Sequence, residues 1–136
     1  DGTLDYAIKN WTSTTSKPTS MPINVLGNYI PDETGIQQFT IAKGAENYPG
    51  TFAFVFSSKY LRNSSGDLKG NSSLDEYSSW DVSVNNGAVT LKCSKAYNSK
   101  DTIALNWSSS NQSFSLYKPS DVTDSKGAIY IYKLFE

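Results

Sequence analysis

The chain contains no histidine and a single cysteine, Cys93, which limits the chemistry its side chains can perform. Ser-His-Asp and Cys-His catalysis, histidine general bases and the common histidine-bearing zinc sites are excluded. Acid–base or metal chemistry would fall to 13 carboxylates. Two adjacent pairs stand out, Asp32-Glu33 and Asp75-Glu76. Glycoside hydrolysis needs two carboxyl groups about 5–10 Å apart across a cleft, whereas neighbours on an extended chain point to opposite faces. Asp67, Asn71 and Asp75 share one loop, and Asp121 and Asp124 share another. Such oxygen donors suit calcium, but neither spacing is that of a dedicated calcium loop, and turn-forming Asx residues are the simpler reading. The expectation is a non-enzyme with no catalytic residue, no metal site and no cofactor. Cys93 lies in phase with Val89 and Leu91 and reads as a small buried hydrophobe.

Binding is the chemistry left open. Sugars are recognised by aromatic faces laid against pyranose rings and by planar amides and carboxylates that bond their hydroxyls. The aromatics expected in loops or out of strand phase are Trp11, Tyr48, Tyr97 and Trp107. Asn98 and Asp101 lie in the same connection as Tyr97 and complete the candidate ligand-binding set, with Asn106 nearby. Trp107 also ends the run Ile103, Leu105, Trp107, so a place in the core is its alternative fate.

Charge narrows the partners. Twelve cations, of which only Arg62 is an arginine, are dispersed along a chain of net charge −1. Nucleic acid needs a clustered basic surface, so it is not an expected partner. No apolar run approaches the roughly 20 residues that cross a bilayer, so no membrane insertion is expected. Ser, Thr and Asn make up about a third of the chain. A surface of hydroxyls and amides is characteristic of exported β-rich proteins. The chain opens at Asp1 without a leader pattern, as it would after removal of one.

The elements that must carry these residues read as strands throughout. Thr51–Phe56 places Phe52, Phe54 and Phe56 on one face. Trp80–Val84 alternates with Trp80, Val82 and Val84 inward, turns at Asn85-Asn86-Gly87, and returns with Val89, Leu91 and Cys93 inward. Further strands are expected at Leu4–Ile8, Ile23–Leu26, Ile36–Ala42, Lys59–Arg62, Thr102–Asn106, Ser113–Tyr117 and Ala128–Phe135. The last is apolar on both faces, as a central strand would be. Loops are expected at Ser16–Pro22, Asn28–Gly35, Asn63–Ser73, Ser108–Gln112 and Pro119–Gly127. Lys59–Arg62 reads as an exposed sheet edge.

All 136 residues fit a single all-β domain. The series from Phe39 to Asn63 and from Trp80 to Asn106 run in parallel at an offset of about 40 residues. Three such units would build a β-trefoil-like barrel, which is favoured here, although a third copy matches poorly. A two-sheet antiparallel β-sandwich is the alternative.

From Lys59 onward the order Lys59-Tyr60-Leu61, Trp80–Val84, Gly87–Leu91, Thr102–Asn106, Ser113–Tyr117 and Ile129–Leu134 resembles a β-rich module found at the C-terminal side of secreted multidomain bacterial proteins. Some of those proteins are extracellular nucleases and hydrolases. The resemblance spans about 75 of 136 residues, mostly strand core positions, and Trp107 departs from it. It implies a secreted or cell-surface accessory domain covalently linked to a partner domain, and it carries no catalytic residue. With the aromatic and amide repertoire, the expectation is a non-catalytic carbohydrate-binding module. A structural or protein-interaction module without a small ligand is the alternative, and a small carboxylate-dependent hydrolase is a third reading.

Overall fold

A computed structural model of the chain describes residues 5–11, 18–27, 29–64, 67–93, 104–108, 112–117, 126–127 and 129–132. The described residues are all-β, with antiparallel pairing in every ladder. The chain opens with a two-stranded sheet, β1 (Asp5–Ile8) paired with β2 (Ser20–Ile23). A larger sheet follows, built from β3 (Thr40–Lys43), β4 (Phe52–Phe56), β5 (Lys59–Ser64), β6 (Asp67–Asn71), β7 (Trp80–Asn85), β8 (Ala88–Cys93), β9 (Ala104–Ser108), β10 (Ser113–Tyr117) and β11 (Lys126–Gly127). One 3-10 turn, Glu76–Ser78, joins β6 to β7.

The large sheet is two consecutive meanders, β3-β4-β5-β6 and β7-β8-β9-β10, joined where Phe52 pairs with Trp80. Strand β4 pairs with β3 along Phe52–Val55, while its other edge is shared between β7 at Phe52 and β5 at Val55–Phe56. The sheet therefore forks at β4. Its outermost strands, β6 and β10, approach each other, but no ladder joins them. The parallel series seen in the sequence are thus real as repeated meanders. They do not close into the trefoil-like barrel favoured above, because a third meander is absent among the described residues and the seam stays open.

Two tight turns set the register. Asn86 and Gly87 have φ of 53° and 83°, and Asn85 pairs with Ala88. This is the two-residue turn whose positive φ values match the twist of the flanking strands. Ser57 and Ser58 adopt the same pair of left-handed conformations, φ 48° and 59°, between Phe56 and its partner Lys59.

The core lies between the meanders. Phe54, Phe56, Leu61, Leu68, Trp80, Leu91 and Cys93 are each less than 5% exposed. Trp80 is fully buried, and its indole N–H donates to the Leu61 carbonyl at 3.0 Å, which removes the cost of sinking that donor. Trp11 stacks on Phe56 with ring centres 4.6 Å apart, and Phe39 meets Phe54 and Phe56 edge-on. Cys93 is buried as expected, its thiol near the Glu76 and Tyr77 carbonyls.

Several expectations shift. Phe52 and Val84 are exposed, at 42% and 67%, and so leave the core face expected of them. The segment 63–73 is no loop, because β6 lies inside it and pairs fully with β5. Lys59–Arg62 is accordingly interior; the strand with one partner and four exposed residues is β3. The final strand begins earlier than expected. Lys126–Gly127 pairs with β9, and Val89 donates its N–H to the Ile129 carbonyl at 2.8 Å. Ile129 is buried, but Tyr130, Ile131 and Tyr132 are exposed, so these residues do not form the doubly covered central strand. The rest of Ala128–Phe135 lies outside the described residues, as does Pro119–Ser125.

Candidate functional site

A shallow polar concavity is made where the chain leaves β1. Lys9 forms a single antiparallel bridge with Ile36. On either side the Asn10 N–H donates to the Gly35 carbonyl and the Gln37 N–H to the Ile8 carbonyl, both at 2.8 Å. These bonds lay the segment from Glu33 to Gln38 against the end of β1. The approach is a turn of short-range bonds. Asp32 accepts from the Thr34 N–H at 3.0 Å, and the Ile36 N–H donates to the Glu33 carbonyl at 3.1 Å.

The result is a shallow cleft of about 440 Å³. Asn10, Glu33, Thr34, Gly35, Gln37 and Gln38 line it, with Ile36 as its apolar element. Gln37 is the strut. Its side-chain oxygen accepts from the Trp11 N–H, and its amide nitrogen donates to the Gln38 carbonyl, both at 2.8 Å. The side chains of Asn10, Glu33 and Gln38 have no hydrogen bond to the described residues and remain available to a ligand. Glu33 is the one ionisable group among the described lining residues. At the rim, Asp32 is held below its ordinary carboxyl value of 3.8 by the Thr34 N–H and hydroxyl, so it stays anionic in mild acid. Two amides and a carboxylate can bond several hydroxyls of one ligand at once; each amide offers both donors and an acceptor.

A second polar–aromatic cluster fastens the small sheet to the large one. Tyr6 of β1 stacks on Trp107 of β9, with centres 4.9 Å apart and planes 20° apart, and Phe114 of β10 packs on Trp107 at 4.9 Å. Gln112 donates from its amide to the Tyr6 hydroxyl at 3.1 Å, and its carbonyl accepts from the Ser20 hydroxyl at 2.6 Å. All three rings are half-buried.

The residues singled out as a ligand-binding set fare differently. Trp11 is 5% exposed and packed on Phe56, so it offers no open face; burial of this large ring outweighs its position in a Thr/Ser-rich segment. Trp107 is half-buried with Tyr6 and Phe114 against it. Tyr48 is half-buried in the β3–β4 connection, where its carbonyl accepts from the Thr51 N–H at 3.3 Å and the Thr51 hydroxyl at 2.6 Å. No ring contact links these three among the described residues. Tyr97, Asn98 and Asp101 lie outside the described residues. Of the calcium candidates, Asp75 caps the 3-10 turn and pairs with Arg62, and no group of three or more acidic or cysteine side chains converges among the described residues.

Sequence reasoning missed Asn10, Glu33, Gln37 and Gln38. The available signal was Asp32-Glu33-Thr34-Gly35 followed by Gln37-Gln38, a carboxylate and amide run at the mouth of an expected strand. Comparison with protein-family models, with curated proteins and with solved structures finds no match to this chain.

Proposed function

We propose that the protein is a non-catalytic carbohydrate-binding module, and that the cleft between Asn10 and Gln38 holds the glycan. The observation that carries this reading is the set of unengaged Asn10, Glu33 and Gln38 side chains around one 440 Å³ cleft, a volume within the range of small-ligand sites. Hydroxyl-rich ligands are bound by such groups, and Ile36 supplies apolar contact for a ring face. The cleft is mainly polar, and Trp11, Tyr48 and Trp107 are not among the residues that line it. In this reading the module is secreted or displayed at a cell surface, where it tethers a covalently linked partner domain to polysaccharide.

The test is affinity electrophoresis against a panel of soluble polysaccharides, with the variant Asn10→Ala/Gln38→Ala beside the native protein. Retardation of the native protein that the variant loses supports the reading; no retardation by any polysaccharide overturns it. Trp11 provides a second readout, because Gln37 bonds its backbone from within the cleft lining, so occupancy should alter its fluorescence.

A structural or protein-interaction module is the second reading. It is favoured by Tyr130, Ile131 and Tyr132, consecutive residues exposed by 57%, 46% and 38%. Contiguous large apolar side chains at the surface are a mark of protein–protein contact sites. Loss of binding to a linked or separate domain in Ile131→Asp, with glycan binding absent throughout, would favour it.

A further inference from the structure

We propose that the Asn10–Gln38 cleft prefers glycans bearing free amino groups over neutral glycans, and neutral over uronic or sulfated ones. This deepens the glycan reading and rests on it. The argument starts from the charges at the site. Glu33 is exposed and lines the cleft, and among the described residues neither lysine nor arginine lines it. Glu33 has no ion-pair partner among the described residues. Asp32 stands beside it at the rim, its charge held by the Thr34 N–H. Among the described cations, Lys9 is the one next in sequence to a lining residue. Lys9 pairs through its backbone with Ile36, but its side chain is exposed and does not line the cleft. Arg62 is committed to Asp75 and to the face of Tyr77.

A carboxylate with no cation among the described lining residues repels a ligand carboxylate or sulfate and attracts an ammonium. The Asn10 and Gln38 amides bond hydroxyls of all three ligand classes alike, so they provide affinity without sorting by charge. The sorting is moderate in size because the site is open to water. An exposed charge pair is worth up to about a fivefold change in affinity, and salt screens it.

The experiment is titration calorimetry of the whole chain with three oligosaccharides of equal length: glucosamine oligomers with the amine protonated, N-acetylglucosamine oligomers and galacturonate oligomers. Native protein, Glu33→Gln and Lys9→Gln are compared at low and high salt. The expected result is amine over acetamide by about two- to fivefold, with galacturonate weakest. Glu33→Gln and high salt should each shrink the amine advantage, while Lys9→Gln preserves the order. Binding with acetamide equal or superior to amine, with galacturonate preferred, or with an amine advantage undiminished by Glu33→Gln overturns the charge preference and leaves the glycan reading standing. No heat with any of the three, together with no retardation in the polysaccharide panel, overturns both.

Discussion

Asp75 gathers the polar atoms around it onto one carboxylate. Oδ1 accepts from the Tyr77 N–H at 3.0 Å and the Ser78 N–H at 3.1 Å, and Oδ2 accepts from Arg62 Nε at 3.3 Å. The Asp75 N–H in turn donates to the Ser78 hydroxyl at 2.8 Å, completing a capping box. Asp75→Ala should cost about 1–2 kcal/mol in urea unfolding, mostly through the lost cap, because the Arg62 pair is partly solvated. The left-handed serines at 57 and 58 make the opposite prediction. A residue with a Cβ is strained there, so Ser58→Gly should be neutral to stabilising by up to about 1 kcal/mol, measured the same way. Gly44 is constrained by space: an added Cβ would run into the side chain and backbone of buried Thr51, whose carbonyl accepts the Gly44 N–H at 2.9 Å. Gly44→Ala should therefore destabilise by about 1–3 kcal/mol. Asp32 titrates below 3.8 because its anion is bonded by Thr34. Its folded value lies under its unfolded one, so its contribution to stability is present above pH 3.8 and fades as pH falls through the folded value. An NMR titration of its carboxyl carbon should place the midpoint below 3.8.

At the scale of elements, the small sheet and the cleft are held by different contacts. The Tyr6–Trp107–Phe114 stack and the Gln112 bonds secure β1 and β2 to β9 and β10, while the bonds around Lys9 and Ile36 shape the cleft. Trp107→Ala should lower amide hydrogen-exchange protection in Asp5–Ile8 and Ser20–Ile23 and leave the Trp80–Cys93 hairpin protected, since that hairpin keeps its own ladder from Trp80–Cys93 to Asn85–Ala88 and its buried Trp80. Hairpins were the most legible elements in the sequence. Asn86-Gly87 demands its turn, and Val89, Leu91 and Cys93 alternate without interruption. Strand β6 was not legible, because Asp-Leu-Lys-Gly-Asn carries one apolar residue and a glycine. It becomes a strand by pairing with β5, where Leu68 is 1% exposed; tertiary pairing overrides weak local propensity.

For the whole molecule, Trp80 is the keystone. It is fully buried, pairs with Phe52 where the two meanders join, and bonds to Leu61 in the other meander. Trp80→Phe keeps most of the ring volume but removes the indole bond to the Leu61 carbonyl, and it should cost about 1–3 kcal/mol in chemical unfolding. Among the described residues no helix is long and apolar enough to span a membrane.

What the sequence by itself determined is the part of the protein governed by near neighbours. Strand alternation, the Asn-Gly turn and the burial of Cys93 follow from side chains two residues apart and from backbone preference. The missing histidines restrict the chemistry whatever the fold. Tertiary structure decided the rest. Whether the meanders close depends on the seam between β6 and β10, which are far apart in the chain. Whether Trp11 is a platform or core depends on Phe56, and the cleft exists because Lys9 meets Ile36. Those outcomes depend on contacts between distant segments, and a local pattern carries no information about which distant segment will cover a given side chain.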